Sequence, residues 1–364
     1  MIKIIYRSLI TLITLLLFLT IYLTIVGVNT DKFNSKIISQ VKKIEPDLEL
    51  KLSDVSAKLD LLELGINIKT IGTDLIYRDK IIKIQSIKSN ISLMSFLKGN
   101  FAITRISIST KALGIKDLIT FIRLLNNNPK LFISEQFIKK GYVVADLTLE
   151  FDELGNIKKN YKFKGIVKDG RISLFNSYNL DKIDFIFEIE EKNLIFNDVR
   201  LLLNNKNISI PELIKKKKNN EYLISGKLNN KDIELNKNEI KNLTTKELLG
   251  LDIQEIKFSS QNNFNFKIDK NLKFKNFNTI SEIELDNLRL KNNFNIKNIF
   301  PKSQNEISFQ NHKIKLKYEE NNLSITGKGE IFLQKEIDKI KYEIFKKKNK
   351  FQFNTTLSIS KNPF

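Results

Sequence analysis

Lys313-Ile314-Lys315-Leu316-Lys317-Tyr318 alternates a cation with an apolar side chain at every step. In an extended strand successive side chains point to opposite faces, so this segment carries one apolar face and one lysine face. Wound into a helix, the same residues would have no common side. The period of two continues outwards from it. Towards the C-terminus come Leu323 and Ile325, then Phe351 and Phe353, then Leu357 and Ile359. Towards the N-terminus come Ile283 and Leu285; Phe264, Phe266 and Ile268; Ile208 and Ile210; Leu201 and Leu203; Phe185, Phe187 and Ile189. Earlier still are Ile172 and Leu174; Tyr161 and Phe163; Leu147, Leu149 and Phe151; Leu64, Ile66 and Ile68; and Leu48, Leu50 and Leu52. Roughly twenty runs of this kind predict a mainly β chain.

Turn chemistry separates the runs: Asp152 to Asn156, Asp169–Gly170, Asn204–Asn205, Asn229–Asn230, Asn292–Asn293 and Asn321–Asn322. Asn and Asp tolerate positive φ, which tight hairpins need. Helical spacing is confined to short stretches. Lys32 to Ile44 has Phe33, Ile37, Ile38, Val41 and Ile44 on one side and Pro46 just beyond. Ser92 to Lys98 predicts a turn or two, Lys116 to Asn126 an amphipathic helix through Leu118, Ile119, Ile122 and Leu125, and Glu239 to Leu249 another. An antiparallel sheet must cover its apolar face with a second sheet, with helices or with something else. Two architectures do this: a β-sandwich with a dry core, or one elongated, curled sheet, a β-groove, whose apolar face takes a ligand.

Ser8 to Val28 contains no charged side chain. Its length matches the ~20 residues that cross a bilayer as a helix. Thr11, Thr14, Thr20 and Thr24 are tolerable there because each hydroxyl can bond back to a helix carbonyl. The run exceeds the ~7–15 apolar residues of a signal peptide, and Val26-Gly27-Val28-Asn29 is a poor cleavage site, so it reads as an uncleaved anchor. Lys3 and Arg7 lie directly before it and Asn29, Thr30 and Asp31 directly after. Close flanks weigh most and long domains cross largely regardless of charge, so the N-terminus is expected inside and the bulk outside. The resulting organisation is a tail over 1–7, the span over 8–28, an amphipathic linker over 29–46, a module over 47–130 and a continued antiparallel sheet over 131–364.

The chain has 364 residues, no Cys and one His, so disulfides, thiolate metal sites, Cys nucleophiles and poly-His metal sites are excluded. Neither phosphate-cradling glycine motif occurs. His312, between Asn311 and Lys313, reads as an exposed strand-end residue rather than a base. Asp152 and Glu153 beside Gly155 lack the acid spacing of a calcium loop. Asp169 and Asp184 read as turn and strand-edge residues, and an enzyme would need them to converge with Glu190. No enzyme and no cofactor are expected. The net charge is +20. Its lysines are dispersed among Asn and Ile, and the runs Lys215–Lys218 and Lys346–Lys348 read as solvated loops, so no nucleic-acid partner is expected.

The stretch Leu64-Gly-Ile-Asn-Ile-Lys, followed by Ile81 to Ile108, carries a family resemblance. Ser92 to Gly99 and Ile103 to Ile108 form a short Ser-Leu-x-x-Leu-type helix ending in Gly and then an Ile-x-x-Ile-x-Ile-like strand. With the preceding span and the strand–turn–strand unit from Phe163 to Leu174, this resembles the N-terminal module of the AsmA-like family of bacterial envelope proteins. The resemblance implies an inner-membrane protein extending into the periplasm, with a hydrophobic groove that conducts phospholipid, and an outer-membrane or periplasmic protein partner. The expected lipid-binding residues are then the alternating apolar positions: Leu64, Ile66, Ile68, Leu147, Leu149, Phe151, Phe185, Phe187, Ile189, Phe264, Phe266, Ile268, Leu316, Phe351 and Phe353.

Overall fold

Most of the alternating runs form strands in the computed structural model, which describes residues 2–29, 34–98, 103–125, 129–152, 156–174, 178–191, 193–219, 221–243, 252–269, 273–293, 296–347 and 350–361. Nineteen strands make one antiparallel sheet. Contacts divide the chain into two compact units, Met1–Ser177 with Ile186–Lys192, and Tyr178–Phe185 with Asn193–Phe364.

The first unit opens with α1 (Ile2–Ile25), an apolar helix in which no residue from Lys3 to Ile25 is buried. It is long and apolar enough to be a membrane span or a signal sequence. As expected, the hydroxyls of Thr11, Thr14, Thr20 and Thr24 donate to the carbonyls of Arg7, Ile10, Leu16 and Thr20 at 2.8–2.9 Å. Then come β1 (Val28–Asn29), α2 (Asn34–Ile44), β2 (Leu48–Lys51), β3 (Asp54–Asp60), β4 (Gly65–Tyr77), β5 (Lys80–Ser92) and α3 (Leu93–Leu97). Lys32 and Phe33, expected to open the second helix, lie outside the described residues. Ile37 of α2 is buried, as are Leu48 and Leu50 of the strand it packs on. Next are β6 (Ile103–Thr110), β7 (Leu113–Gly114), α4 (Ile115–Leu125), α5 (Pro129–Phe137), β8 (Ile138–Glu150) and β9 (Lys162–Leu174). The helix α5 was not anticipated, because its apolar residues follow no helical stripe. A polar contact holds it in place: Glu135 accepts from Thr120 Oγ1 at 2.8 Å and from Arg123 Nε at 2.9 Å, both on α4.

Strand β10 (Tyr178–Glu190) is divided between the units. The second unit continues with β11 (Asn193–Leu203), β12 (Lys206–Lys218), β13 (Glu221–Asn236), α6 (Lys237–Leu243), β14 (Ile253–Ile268), β15 (Phe274–Lys291), β16 (Glu306–Glu319), β17 (Asn322–Phe332), β18 (Asp338–Lys347) and β19 (Lys350–Ser358). Each strand from β11 to β19 pairs antiparallel with the next, a meander. The sheet is open, and no register joins β19 to any strand but β18 among the described residues. The expected second half of the Glu239–Leu249 helix lies outside the described residues, as does the middle of the Asp152–Asn156 turn.

Two expected turns are corrected. Asp169–Gly170 lies inside β9 and Asn229–Asn230 inside β13. The left-handed residues there are bulges within long strands: Asp169 has φ 51° and Asp232 φ 51°. Gly72, Gly141, Lys182, Asp198, Asn276 and Asn311 are likewise left-handed within strands. Beside Gly141, Asp232, Asn276 and Asn311 the register slips. A bulge bends its strand and increases its twist. True hairpins use the same chemistry at strand ends: Asn204 and Asn205 have φ 46° and 66° between β11 and β12. Glu320 and Asn321 have φ 48° and 68° between β16 and β17, so this turn falls one residue earlier than its Asn-Asn pair predicts.

Candidate functional site

Cross-strand register decides which side chains share a face, because directly opposed residues point the same way. In the second unit one row runs Leu213, Gly226, Phe264, Thr279, Tyr318, Leu323, Lys346 and Phe351 over eight strands. A neighbouring row runs Asn262, Ser281, Leu316, Ile325, Ile344 and Phe353. The face so defined is apolar with a polar seam. At the seam Asn262 Nδ2 donates to Ser260 Oγ at 2.8 Å and Ser260 Oγ donates to Asn230 Oδ1 at 3.2 Å, so these groups satisfy one another. The opposite face carries Glu282 directly across from Lys315 and Glu284 across from Lys313. Lys315 Nζ lies 3.1 Å from Glu282.

Aromatic rings lie flat on this face where the adjacent strand offers glycine. A Cβ at Gly226 would meet the Phe264 ring at 3.0 Å, one at Gly327 would collide with the Tyr342 ring, and one at Gly329 with the imidazole of His312. The absence of a side chain at each glycine is therefore what admits the ring. At the strand ends Phe264, Phe266, Phe274, Phe277 and Tyr318 form a chain of ring contacts with centroids 4.5–6.1 Å apart. A hollow of about 660 Å³ opens beside Phe274, Phe277 and Tyr318. Phe351 and Phe353 stack at 6.0 Å on β19 and are 53% and 66% exposed, as an edge strand leaves them. The other end of the face is covered: Phe300 and Ile296, from the segment between β15 and β16, close over Ile307, Phe309, Ile331, Leu333, Ile340 and Leu357.

His312 corrects its sequence reading. It sits inside β16, 1% exposed, with Nε2 2.9 Å from the Glu330 carbonyl and Nδ1 3.3 Å from the Tyr342 hydroxyl. Burial pushes its pKa below the ordinary value and that of Tyr342 above it. The parity signal was present, since 312 shares the phase of 314, 316 and 318. Asp338 is equally buried on this face: Oδ1 accepts from the Ser360 N–H at 2.9 Å and its hydroxyl at 3.1 Å.

In the first unit the register aligns Ile68, Ser89, Ile106 and Leu149, and next to them Thr70, Ile87, Ile108, Leu147 and Phe163. Phe163 packs on Phe187 at 5.1 Å, and Phe187 also lies over Gly165. Ile66 opposes Leu59 and Ile91 on the same side, and Ile189 follows Phe187 by two residues. Part of this face is covered by α4, whose buried Phe121 meets Tyr77 edge-on at 6.3 Å. Phe185, in the second unit, packs edge-on against Phe196 at 5.3 Å, and Phe196 opposes Leu213. One expected face residue sits elsewhere: Leu64 lies in the β3–β4 turn, left-handed and 60% exposed. Phe151 lies just beyond β8, bridged to Ile157, with its N–H donating to the Thr104 carbonyl at 2.9 Å.

A hollow of about 680 Å³ lies on the polar side of the second unit, between Lys182, Arg200, Gln261, Glu282 and Glu284. Among the described residues no group of three or more His, Cys, Asp or Glu could hold a metal ion. Asp169 is in β9 of the first unit and Asp184 in the β10 segment of the second. Comparison with protein-family models, curated proteins and solved structures finds no match.

Proposed function

We propose that the chain is an inner-membrane-anchored periplasmic protein that holds phospholipid tails against the apolar face of a curled sheet, carrying lipid between membranes or supporting outer-membrane and envelope biogenesis. The observation that carries this reading is the register that unites Phe264, Leu316, Phe351 and Phe353 on one face of successive strands. Most side chains of that face are neither buried nor free, the condition of a surface awaiting a non-protein cover. Twisted open sheets beyond ~10 strands curl or split, and bulges increase the curl, which favours a groove.

The chemistry asked of the protein is solvation. Each tail methylene moved from water onto the face is worth ~0.8 kcal/mol, and a lipid shifting by one strand exchanges like contacts for like, so no step is steep. Headgroups stay in water, and the lysine-bearing opposite face keeps the sheet soluble. Nothing in the apolar face sets a direction, which falls to an outer-membrane or periplasmic partner or to mass flow.

The test is a photoactivatable phenylalanine analogue at Phe187 or Phe266 in the full chain, irradiated in bacterial cells and read by mass spectrometry. Phospholipid adducts are expected. Adducts confined to protein at both positions would overturn the proposal.

A further inference from the structure

A turn that water should favour exposes its polar residues and hides its leucines. The β3–β4 turn, Leu61-Leu62-Glu63-Leu64, exposes its leucines along with its glutamate. Leu61 is 50%, Leu62 98% and Leu64 60% exposed. Its acids are tied down onto the sheet. Asp60 Oδ1 accepts from the Leu62 and Glu63 N–H groups at 3.0 Å, and its Oδ2 accepts from Asn67 at 2.8 Å. Glu63 accepts from Asn90 at 2.5 Å and from Arg105 at 3.3 Å. The turn is joined to α3 by the Leu93 N–H donating to the Leu64 carbonyl at 2.8 Å, and α3 adds Met94 and Leu97, 58% and 71% exposed.

The position of this patch identifies what covers it. Val28 and Asn29 of β1 pair antiparallel with Ala57 and Ser56 of β3. Traced backwards, the chain before Val28 therefore runs beside the residues after Ala57, towards the turn. Lys58 Nζ caps that end of α1, donating to the Ile25 carbonyl at 2.6 Å, and Gly27, with φ 78°, packs so closely that a Cβ would lie 2.5 Å from the Ala57 carbonyl oxygen. The apolar helix thus leaves the sheet at the same end as the exposed leucines. Lys98 follows Leu97 directly in sequence, which sets a long cationic side chain of the kind that can snorkel beside the patch.

We propose that Leu61, Leu62, Leu64, Met94 and Leu97 form a membrane-docking patch that inserts into the outer interfacial layer of the bilayer crossed by α1, seating the first strands of the sheet on the lipid surface. This deepens the proposed function, resting on its reading of α1 as a span and not on lipid carriage. It gives tails a short path from the leaflet to Ile66 and Ile68, which continue β4 directly from the turn.

The chain has no cysteine, so single cysteines can be placed and labelled cleanly. An environment-sensitive fluorophore is attached to the full chain at F18C, L62C, L97C or D79C, the last in the β4–β5 turn at the far end of β4, in phosphatidylcholine vesicles. The expected result is quenching by shallow nitroxide lipids at Leu62 and Leu97, by deep nitroxide lipids at Phe18, and by aqueous iodide at Asp79. Iodide quenching at Leu62 and Leu97 as strong as at Asp79, with Phe18 still lipid-quenched, would overturn the docking patch while leaving the span intact. Loss of lipid quenching at Phe18 would overturn the span and the patch together.

Discussion

His312 shows what one residue contributes inside such a face. A neutral ring, with Nε2–H donating to the Glu330 carbonyl and Nδ1 accepting from the Tyr342 hydroxyl, satisfies both nitrogens without burying a charge. Burial lowers its pKa, so the folded state resists a proton that the unfolded chain accepts near pH 6.5. Stability present above that pH is therefore expected to fall as the pH drops through it. Thermal melts between about pH 8 and about pH 5 should show a steeper decline in the wild type than in His312→Gln, and parallel curves would refute the assignment. Gly329 is the companion residue. Gly329→Ala drives a methyl group into the imidazole and is expected to cost about 1–3 kcal/mol in denaturant titrations. The same change at Gly72, where a Cβ meets only the Ser53 hydroxyl at 3.6 Å, separates backbone strain from ring collision, since φ there is 69°.

At the scale of elements, the long strands depend on bulges that read as turns in one dimension. Asp and Asn with positive φ announce a change of direction when only local chemistry is considered. Asp169 and Asp232 meet that chemistry, yet flanking strands hold them in line and the chain kinks instead of reversing. Asp232→Val is accordingly expected to destabilise the protein by about 1–3 kcal/mol, because a β-branched residue resists the left-handed region, whereas Asp232→Gly should be close to neutral. Chemical denaturation of the two variants checks this, and equal losses would place the effect in the side chain. Helices followed their signals unevenly. The amphipathic stretch from Lys116 became α4, but the residue it buries is Phe121, which the sequence reading passed over. α5 is held to α4 by Glu135, and long-range pairing of this kind leaves no periodic trace.

At the scale of the whole molecule, the apolar face predicts cargo that travels with the protein. A chain lacking residues 1–28 and purified without detergent should carry phospholipid detectable by mass spectrometry. Replacing Ile224, Phe266 and Ile344 together by Asn should remove most of it, while an unchanged circular dichroism spectrum confirms the strands. Undiminished lipid in that variant would count against the face as the carrier surface. Ile224 and Phe266 oppose each other across β13 and β14, and the register carried through to β18 brings Ile344 to the same side.

The period of two by itself determined that the chain is mainly β with one apolar and one polar face, since strand geometry permits no other placement of alternating side chains. The uninterrupted apolar run from Ser8 likewise determined that a helix of membrane-spanning length opens the chain. Tertiary structure alone decided which runs join into single bent strands, where Phe121 and Phe300 each close over part of the face of their own unit, and that Leu64 leaves the face for the turn. These outcomes depend on pairing between residues remote along the chain, and no local pattern encodes the partner. Parity names the side on which a residue lies, but only the neighbouring strand determines what it meets there.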